Sequence, residues 1–200
     1  MKLTDFDAIF FDLDGTIVDS CLDFSLFKEI HNINYEHDIL SYRDSLDCLE
    51  KIEDLNKKII DFENEGAKAS KIIPGAISLL ENIRKLEIPT GLLTRNCRSA
   101  TNISLRKHKI NFESIITRED APPKPDPTGL LLMAKRESVV PKNCVYIGDY
   151  IFDIETAKNA GMKSCLLLNE RNTEFSKLAD FTIECFSALN SKDFNFLKAN

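Results

Sequence analysis

The sequence predicts an α/β protein: a Rossmann-like parallel sheet flanked by helices, with a small all-helical cap inserted after the first strand. Three observations carry this reading. Ala8–Phe11 is an unbroken apolar run that ends in Asp12, Asp14 and Gly15, the pattern of a buried strand opening into a polar loop. Residues 21–73 are free of proline and helical in period. Beyond Ile73, short apolar runs alternate with helical segments at the spacing of βαβ crossovers. The expected division is a core of residues 1–20 and 74–200, with a helical cap over 21–73.

The elements follow in order. Leu22, Leu26 and Ile30 recur every four residues and predict a short amphipathic helix. Leu46, Leu49, Ile52, Leu55, Ile59 and Phe62 mark a second stripe, so a helical hairpin is expected. Pro74-Gly75 opens the next helix, with Leu79, Leu80, Ile83 and Leu86 as its buried face. A strand over Thr90–Thr94 leads to a helix over 97–108, and a strand over Ser114–Thr117 follows. The helix Gly129–Arg136 has Asp126 as its cap and Pro127 in its first turn. Val145–Ile147 is a strand, Ile154–Ala160 a helix stopped by Gly161, and Lys163–Leu168 a strand. A short strand at Phe181–Ile183 and a terminal helix complete one edge.

Composition narrows the function classes. The 200 residues are 43% hydrophobic and 29% charged, with a net charge of −6, ordinary for a globular chain. The negative balance argues against sequence-independent nucleic-acid binding and against anionic membrane surfaces. Twelve Asp/Glu against seven Lys/Arg fall within 21–73, where mixed signs suit solvated helix faces. Six scattered cysteines form no CxxC and no Cys/His cluster, so they read as reduced thiols, Cys21 and Cys97 included. His31, His37 and His108 have no ligand spacing and are expected at the surface. No signal peptide pattern and no apolar run of about 18 residues is seen, so a cytoplasmic location is expected. The oligomeric state is left open, a monomer being compatible.

The chemistry gathers at predicted strand ends, where open parallel sheets place their sites. Asp12 and Asp14 project to one side if the chain stays extended. Two such charges at close range repel by about 4 kcal/mol at an effective dielectric near 20, so a cationic partner is required. Thr94-Arg95 follows the second strand of the core, and Gly148-Asp149 follows the fourth, with Asp153 one helical turn on. Lys124 stands in APPKPDP (121–127). Each has a plainer reading: Thr94 and Asp153 as helix caps, Lys124 as a surface turn or part of a PxxP ligand. Together they would leave a large uncompensated charge cluster, which a hard divalent cation and a phosphate would resolve.

The set DLDGT (12–16), Thr94, Lys124 in KPDP and GDYIFD (148–153) resembles the haloacid-dehalogenase-like superfamily of phosphohydrolases, in the phosphoglycolate-phosphatase-like branch with a short helical cap. The resemblance implies that Asp12 attacks phosphorus and that Asp14 serves as general acid and base. It implies Mg²⁺ held by Asp12, the main-chain carbonyl of Asp14, Asp149 and Asp153, with Thr94 and Lys124 on the phosphoryl oxygens. Arg95 joins the phosphate-binding candidates, and Arg43, Tyr35 and Tyr42 are the cap residues nominated for substrate contact. The implied substrate is a small soluble phosphate ester admitted by the cap.

Four alternatives stay open at this point. A phosphomutase on the same fold would return the phosphoryl group to its substrate. A dehalogenase would work without metal and would not need Asp14 or the Asp149/Asp153 pair. A receiver-type signalling domain also uses an aspartyl-phosphate, a Thr and a Lys, but lacks the insertion. A degenerate scaffold would bind phosphorylated ligands without turnover.

Overall fold

Residues 2–186 and 197–198 are described by the structure, a computed structural model. Its strands are β1 (Ala8–Phe11), β2 (Val18–Asp19), β3 (Lys71–Ile72), β4 (Thr90–Leu93), β5 (Ser114–Ile116), β6 (Cys144–Gly148), β7 (Lys163–Leu167), β8 (Phe181–Ile183) and β9 (Leu197–Lys198). Its α-helices are α1 (Phe24–Ile30), α2 (Ile39–Asp44), α3 (Leu49–Ala69), α4 (Ala76–Lys85), α5 (Arg98–His108), α6 (Thr128–Arg136) and α7 (Ile151–Asn159).

β1 pairs in parallel with β4 on one side and β6 on the other, which is why all four of its residues are apolar and sealed. The main sheet runs β5-β4-β1-β6-β7-β8-β9, parallel through β8 and antiparallel at β9. Alternate side chains along β1 build two cores. Ile9 and Phe11 join Leu79, Ile83, Leu105 and Val145 on one face, while Ala8 and Phe10 join Leu130, Met133 and Tyr146 on the other. The Rossmann-like parallel sheet with helices on both faces is therefore the fold. β8 falls on the expected residues; β9 was not expected, and the expected terminal helix lies outside the described residues.

Between β2 and β3 the chain builds a separate apolar cluster from Phe27, Ile33, Ile39, Leu40, Leu55 and Ile59. The expected hairpin is instead three helices, and the antiparallel β2–β3 ribbon stands at their base. The stripes are partly misread. Leu26 and Ile30 are exposed, because Phe27 is the residue of α1 that turns inward and packs on Phe62 at 4.7 Å between ring centroids, and Leu49, the first residue of α3, is exposed as well. Leu55 and Ile59 do bury.

Element ends also shift. Gly75 is the N-cap of α4 at φ +86°, so Pro74 precedes the helix, and Leu86, just past its last turn, is exposed. Pro127 is the N-cap of α6, and Asp126 instead accepts the Thr128 N–H at 2.8 Å from one residue further back. Helix α7 begins three residues earlier than expected, and Gly161 at φ +70° ends it as foreseen. Cys21, Cys48, Cys97, Cys144 and Cys165 are free thiols. His37 is exposed, His31 lies against the Phe27 ring, and His108 shares a 3.0 Å hydrogen bond with Ser70 Oγ. No helix among the described residues is long and apolar enough to cross a membrane.

Candidate active site at the carboxyl edge of the sheet

The last ladder bond of β1 carries Asp12 to the sheet edge, its N–H donating to Ile147 O at 2.9 Å. The chain then turns tightly, with the N–H groups of Ile17 and Val18 both returning to Leu13 O at 2.9 Å. Gly15 makes this turn at φ +84°, in the region that glycine tolerates. A methyl group there would also lie 2.3 Å from Asp149 Oδ2. Because the chain turns rather than staying extended, the two aspartates part. Asp12 faces the sheet edge, while the Asp14 carboxylate accepts the Ser20 N–H at 2.9 Å and the Ser20 hydroxyl.

Lys124 arrives from the loop between β5 and α6, which Asn159 Nδ2 holds by a 3.0 Å bond to Pro125 O. Its Nζ lies 2.6 Å from Asp12 Oδ1, 2.6 Å from Asp153 Oδ1 and 3.2 Å from the Tyr146 hydroxyl. The Tyr146 hydroxyl in turn donates to Leu93 O at 2.9 Å. Asp153 is the acidic half of a capping box: its Oδ2 accepts the N–H groups of Tyr150 at 3.0 Å and Asp149 at 3.1 Å. The N-cap of α7 is Tyr150 rather than Asp153, which instead closes the turn from the third helical position while its other oxygen meets Lys124. Thr94, one residue past β4, is buried, and its hydroxyl accepts the Asn96 N–H at 3.1 Å.

One carboxylate oxygen from each of Asp12, Asp149 and Asp153 lies within 4.8 Å of the others. Burial, followed by the Asp153 and Asp12 charges, pushes the Asp149 carboxyl up to about 8. Burial likewise pushes Asp12 up to about 7, against the opposing pull of Lys124. Lys124 is itself raised, because its two carboxylates outweigh burial. Asp12 and Asp153 thus share one ammonium that Asp149 does not reach, and among the described residues the Asp149 carboxylate accepts one long 3.4 Å bond from Asn169 Nδ2. Hard oxygen donors with a charge deficit, beside a glycine that keeps the space at Asp149 open, fit a divalent cation such as Mg²⁺. Burial raises Asp14 too, while its Ser20 bonds act the other way.

Other candidates lie apart from this cluster. Arg95 pairs with Asp38, the N-cap of α2, at 2.5 Å and lies 4.9 Å over the Phe152 ring. Arg43 bonds Asn56 Oδ1 at 3.0 Å and pairs with Asp44 at 2.6 Å. It lines a cavity of about 150 Å³ with Asn56, Arg118, Glu119 and Pro123, where α2 and α3 meet the core. Tyr35 is exposed, and Tyr42 packs near His37 among the helices between β2 and β3.

Sequence reasoning missed several residues. Tyr146 was read only as part of an apolar strand, although its hydroxyl was a polar handle in a fully buried run. Ser20, which donates its N–H and its hydroxyl to the Asp14 carboxylate, carries no local signal of that role. Asn172 binds Asp149 O at 2.7 Å and Leu167 O at 2.8 Å, and nothing local in the sequence marks it. Glu63 sits one turn after Ile59 on the buried stripe of α3, a position where a carboxylate is itself a signal.

The profile of the haloacid dehalogenase-like hydrolases matches residues 9–167. A haloacid dehalogenase-like hydrolase domain-containing protein of Arabidopsis thaliana is 29% identical over 171 residues, spanning 80% of this chain and 70% of the plant protein. A phosphoglycolate phosphatase of Synechococcus elongatus is 22% identical over 200 residues, spanning 91% and 94% of the two chains. Among solved structures, a hydrolase from Pseudomonas syringae superposes with a TM-score of 0.71 at 23% identity, covering 84% of this chain and 89% of its own. These matches agree with the superfamily and branch that the four motifs resemble.

Proposed function

The chain belongs to the haloacid dehalogenase-like hydrolases, and from that premise we propose that it is a Mg²⁺-dependent phosphatase that hydrolyses a small soluble phosphate monoester through a phosphoryl group carried on Asp12. The observation that carries the reading is the buried Asp12 carboxylate at the sheet edge, held by Lys124 at 2.6 Å and grouped with Asp149 and Asp153.

In this reading an Asp12 oxygen forms a bond to phosphorus as the ester P–O bond breaks, and Asp14 gives its proton to the departing alkoxide. A water then attacks phosphorus, Asp14 takes the proton of that water, and the Asp12–phosphorus bond breaks to restore the carboxylate. The raised proton affinity of Asp14 suits a group that must carry a proton between the two halves. Thr94 and Lys124 bind the transferring phosphoryl oxygens, and Lys124 also holds Asp12 in place. Asp12, the main-chain carbonyl of Asp14, Asp149 and Asp153 would hold Mg²⁺, which when bound offsets the negative charge of the transferring group.

Residues 21–73 act as the cap over a core of 1–20 and 74–200. Their separate apolar cluster and the ribbon at their base support this division. Arg43 is the cap residue placed best for substrate contact, since its cavity is also lined by Pro123, the neighbour of Lys124. Arg95 reaches substrate only by leaving Asp38.

The test supplies purified protein with p-nitrophenyl phosphate, with and without Mg²⁺, then with sugar, glycolyl and nucleotide phosphates. The expected result is metal-dependent phosphate release over many turnovers. A single phosphorylation that stops would support a receiver domain instead. Phosphate moved within the substrate without net release would support a mutase.

A further inference from the structure

Glu63, from α3 of the helical insertion, is buried against the core. One of its carboxylate oxygens pairs with Arg118, and the other accepts the Cys97 N–H at 3.0 Å. The same Arg118 nitrogen that meets Glu63 also donates to Arg95 O at 3.1 Å. Both side chains are almost fully sealed, at 6% and 5% exposure. The carbonyl of residue 95 and the amide of residue 97 are therefore pinned by one ion pair, and half of that pair comes from outside the core.

Between those two pins lies Asn96, whose N–H is the donor to the Thr94 hydroxyl. The pair thus fixes the loop that orients Thr94. Stability alone explains the pair poorly. Buried ion pairs seldom stabilise more than apolar packing of the same volume, and the Arg118 Nη2 is buried with no hydrogen-bond partner. Such a group is retained more readily for geometry than for strength.

The pair also decides what the start of α5 can do. A helix N-terminus is often an anion site, but here three of the amides at its start already have partners. Cys97 N–H serves Glu63, Arg98 N–H meets both oxygens of Glu119 at 3.1 Å, and Ala100 N–H meets Cys97 Sγ.

We propose that Glu63 and Arg118 are positioning residues through which the helical insertion sets the phosphate-binding loop at Thr94. The inference rests on the phosphatase reading above. It makes the insertion part of the catalytic geometry as well as a filter on substrates, and it assigns the coupling to one carboxylate. The route runs from α3 through Glu63 and Arg118 to the backbone of 95–97, and from there to Thr94.

The test is a double-mutant cycle on p-nitrophenyl phosphate at saturating Mg²⁺, with wild type, Glu63→Gln, Thr94→Ala and the double variant. Glu63→Gln keeps the size and the acceptor for Cys97 N–H but removes the charge facing Arg118. The expected result is a kcat roughly ten- to a hundredfold lower for Glu63→Gln with KM little changed, since misplacing one contact costs on that order. The double variant is then no slower than Thr94→Ala alone. An unchanged kcat for Glu63→Gln, or losses that multiply in the double variant, would overturn the inference while leaving the phosphatase reading intact. A wild type without Mg²⁺-dependent turnover would overturn the phosphatase reading and this inference with it. Amide exchange on the wild-type protein needs no variant: the Cys97 amide is expected to be as protected as those of β4. Exchange at the rate of an open loop would refute the tie directly.

Discussion

Asp12 Oδ1 and Lys124 Nζ stand 2.6 Å apart, 112 residues distant in sequence and both closed off from solvent. The contact joins the first strand to a loop on the far side of the sheet, and Asp153 shares the same ammonium. Lys124→Met would leave Asp12 and Asp153 facing each other with no cation. Breaking a buried pair by removing one partner costs about 3–5 kcal/mol, and the metal-free variant is expected to lose stability on that order. Mg²⁺ should restore part of it. Thermal melts with and without Mg²⁺ check this, and equal melting of wild type and variant in metal-free buffer would contradict it.

Asp12→Asn is expected to fold and to abolish turnover, since the amide fills the same space but is a poor nucleophile. Asp14→Asn should also fold, because its amide oxygen can still accept the Ser20 N–H. It should lose turnover through the missing proton carrier, by roughly two to four orders of magnitude. Circular dichroism and steady-state rates on p-nitrophenyl phosphate separate folding from chemistry. A wild-type rate in Asp12→Asn would remove that residue from the nucleophile role.

At Gly15, backbone and space make the same demand. Alanine would have to hold φ +84° and place its methyl group 2.3 Å from Asp149 Oδ2. The left-handed conformation costs about 1–2 kcal/mol for a side chain with Cβ. If Asp149 holds the metal, disturbing a neighbour that sets its orientation should weaken metal binding by about 10- to 100-fold. Isothermal titration of Gly15→Ala with Mg²⁺ should show that weakening, and unchanged affinity would mean that Asp149 is not a ligand.

Asp38 offers a pH test away from the Asp12, Asp149 and Asp153 cluster. Burial raises its proton affinity, but the Arg95 guanidinium and the Ser41 bonds more than offset it and hold the carboxyl below its ordinary value. A carboxyl depressed on folding adds stability above its unfolded value of about 3.9. That stability is lost as pH falls through the folded value. Asp38→Asn is expected to cost on the order of 1 kcal/mol at pH 7, a modest figure because both side chains retain some solvent contact. The gap between wild type and variant should narrow as pH falls below the ordinary carboxyl value and close once it has passed the lower folded value, where the wild-type carboxyl is protonated as well. Melting curves across that range decide it, and a gap that persists unchanged at low pH would refute the ion pair's contribution.

Much of the fold and site was legible because the signals were local. The apolar run Ala8–Phe11 and the strand–helix alternation depend on neighbours in sequence, and so do the Asp12, Thr94, Lys124 and Asp149 positions at strand ends. The residues that were missed act across the fold. The Tyr146 hydroxyl reaches Leu93 O 53 residues away, and Glu63 reaches Cys97 N–H from another helix. Periodicity alone misjudged α1, where Phe27 rather than the Leu26/Ile30 stripe turns inward onto Phe62 of α3, a partner that only the tertiary packing supplies. The β2–β3 ribbon has two residues per strand, too few for alternation to show.

The most direct test of the account is to locate the phosphoryl group during turnover. Protein turning over p-nitrophenyl phosphate with Mg²⁺ is quenched in acid, digested and mapped by mass spectrometry. The expected result is a phosphoryl adduct on Asp12 that decays at the rate at which phosphate is released. Sustained turnover with no adduct on Asp12, or with the adduct on another residue, would contradict it.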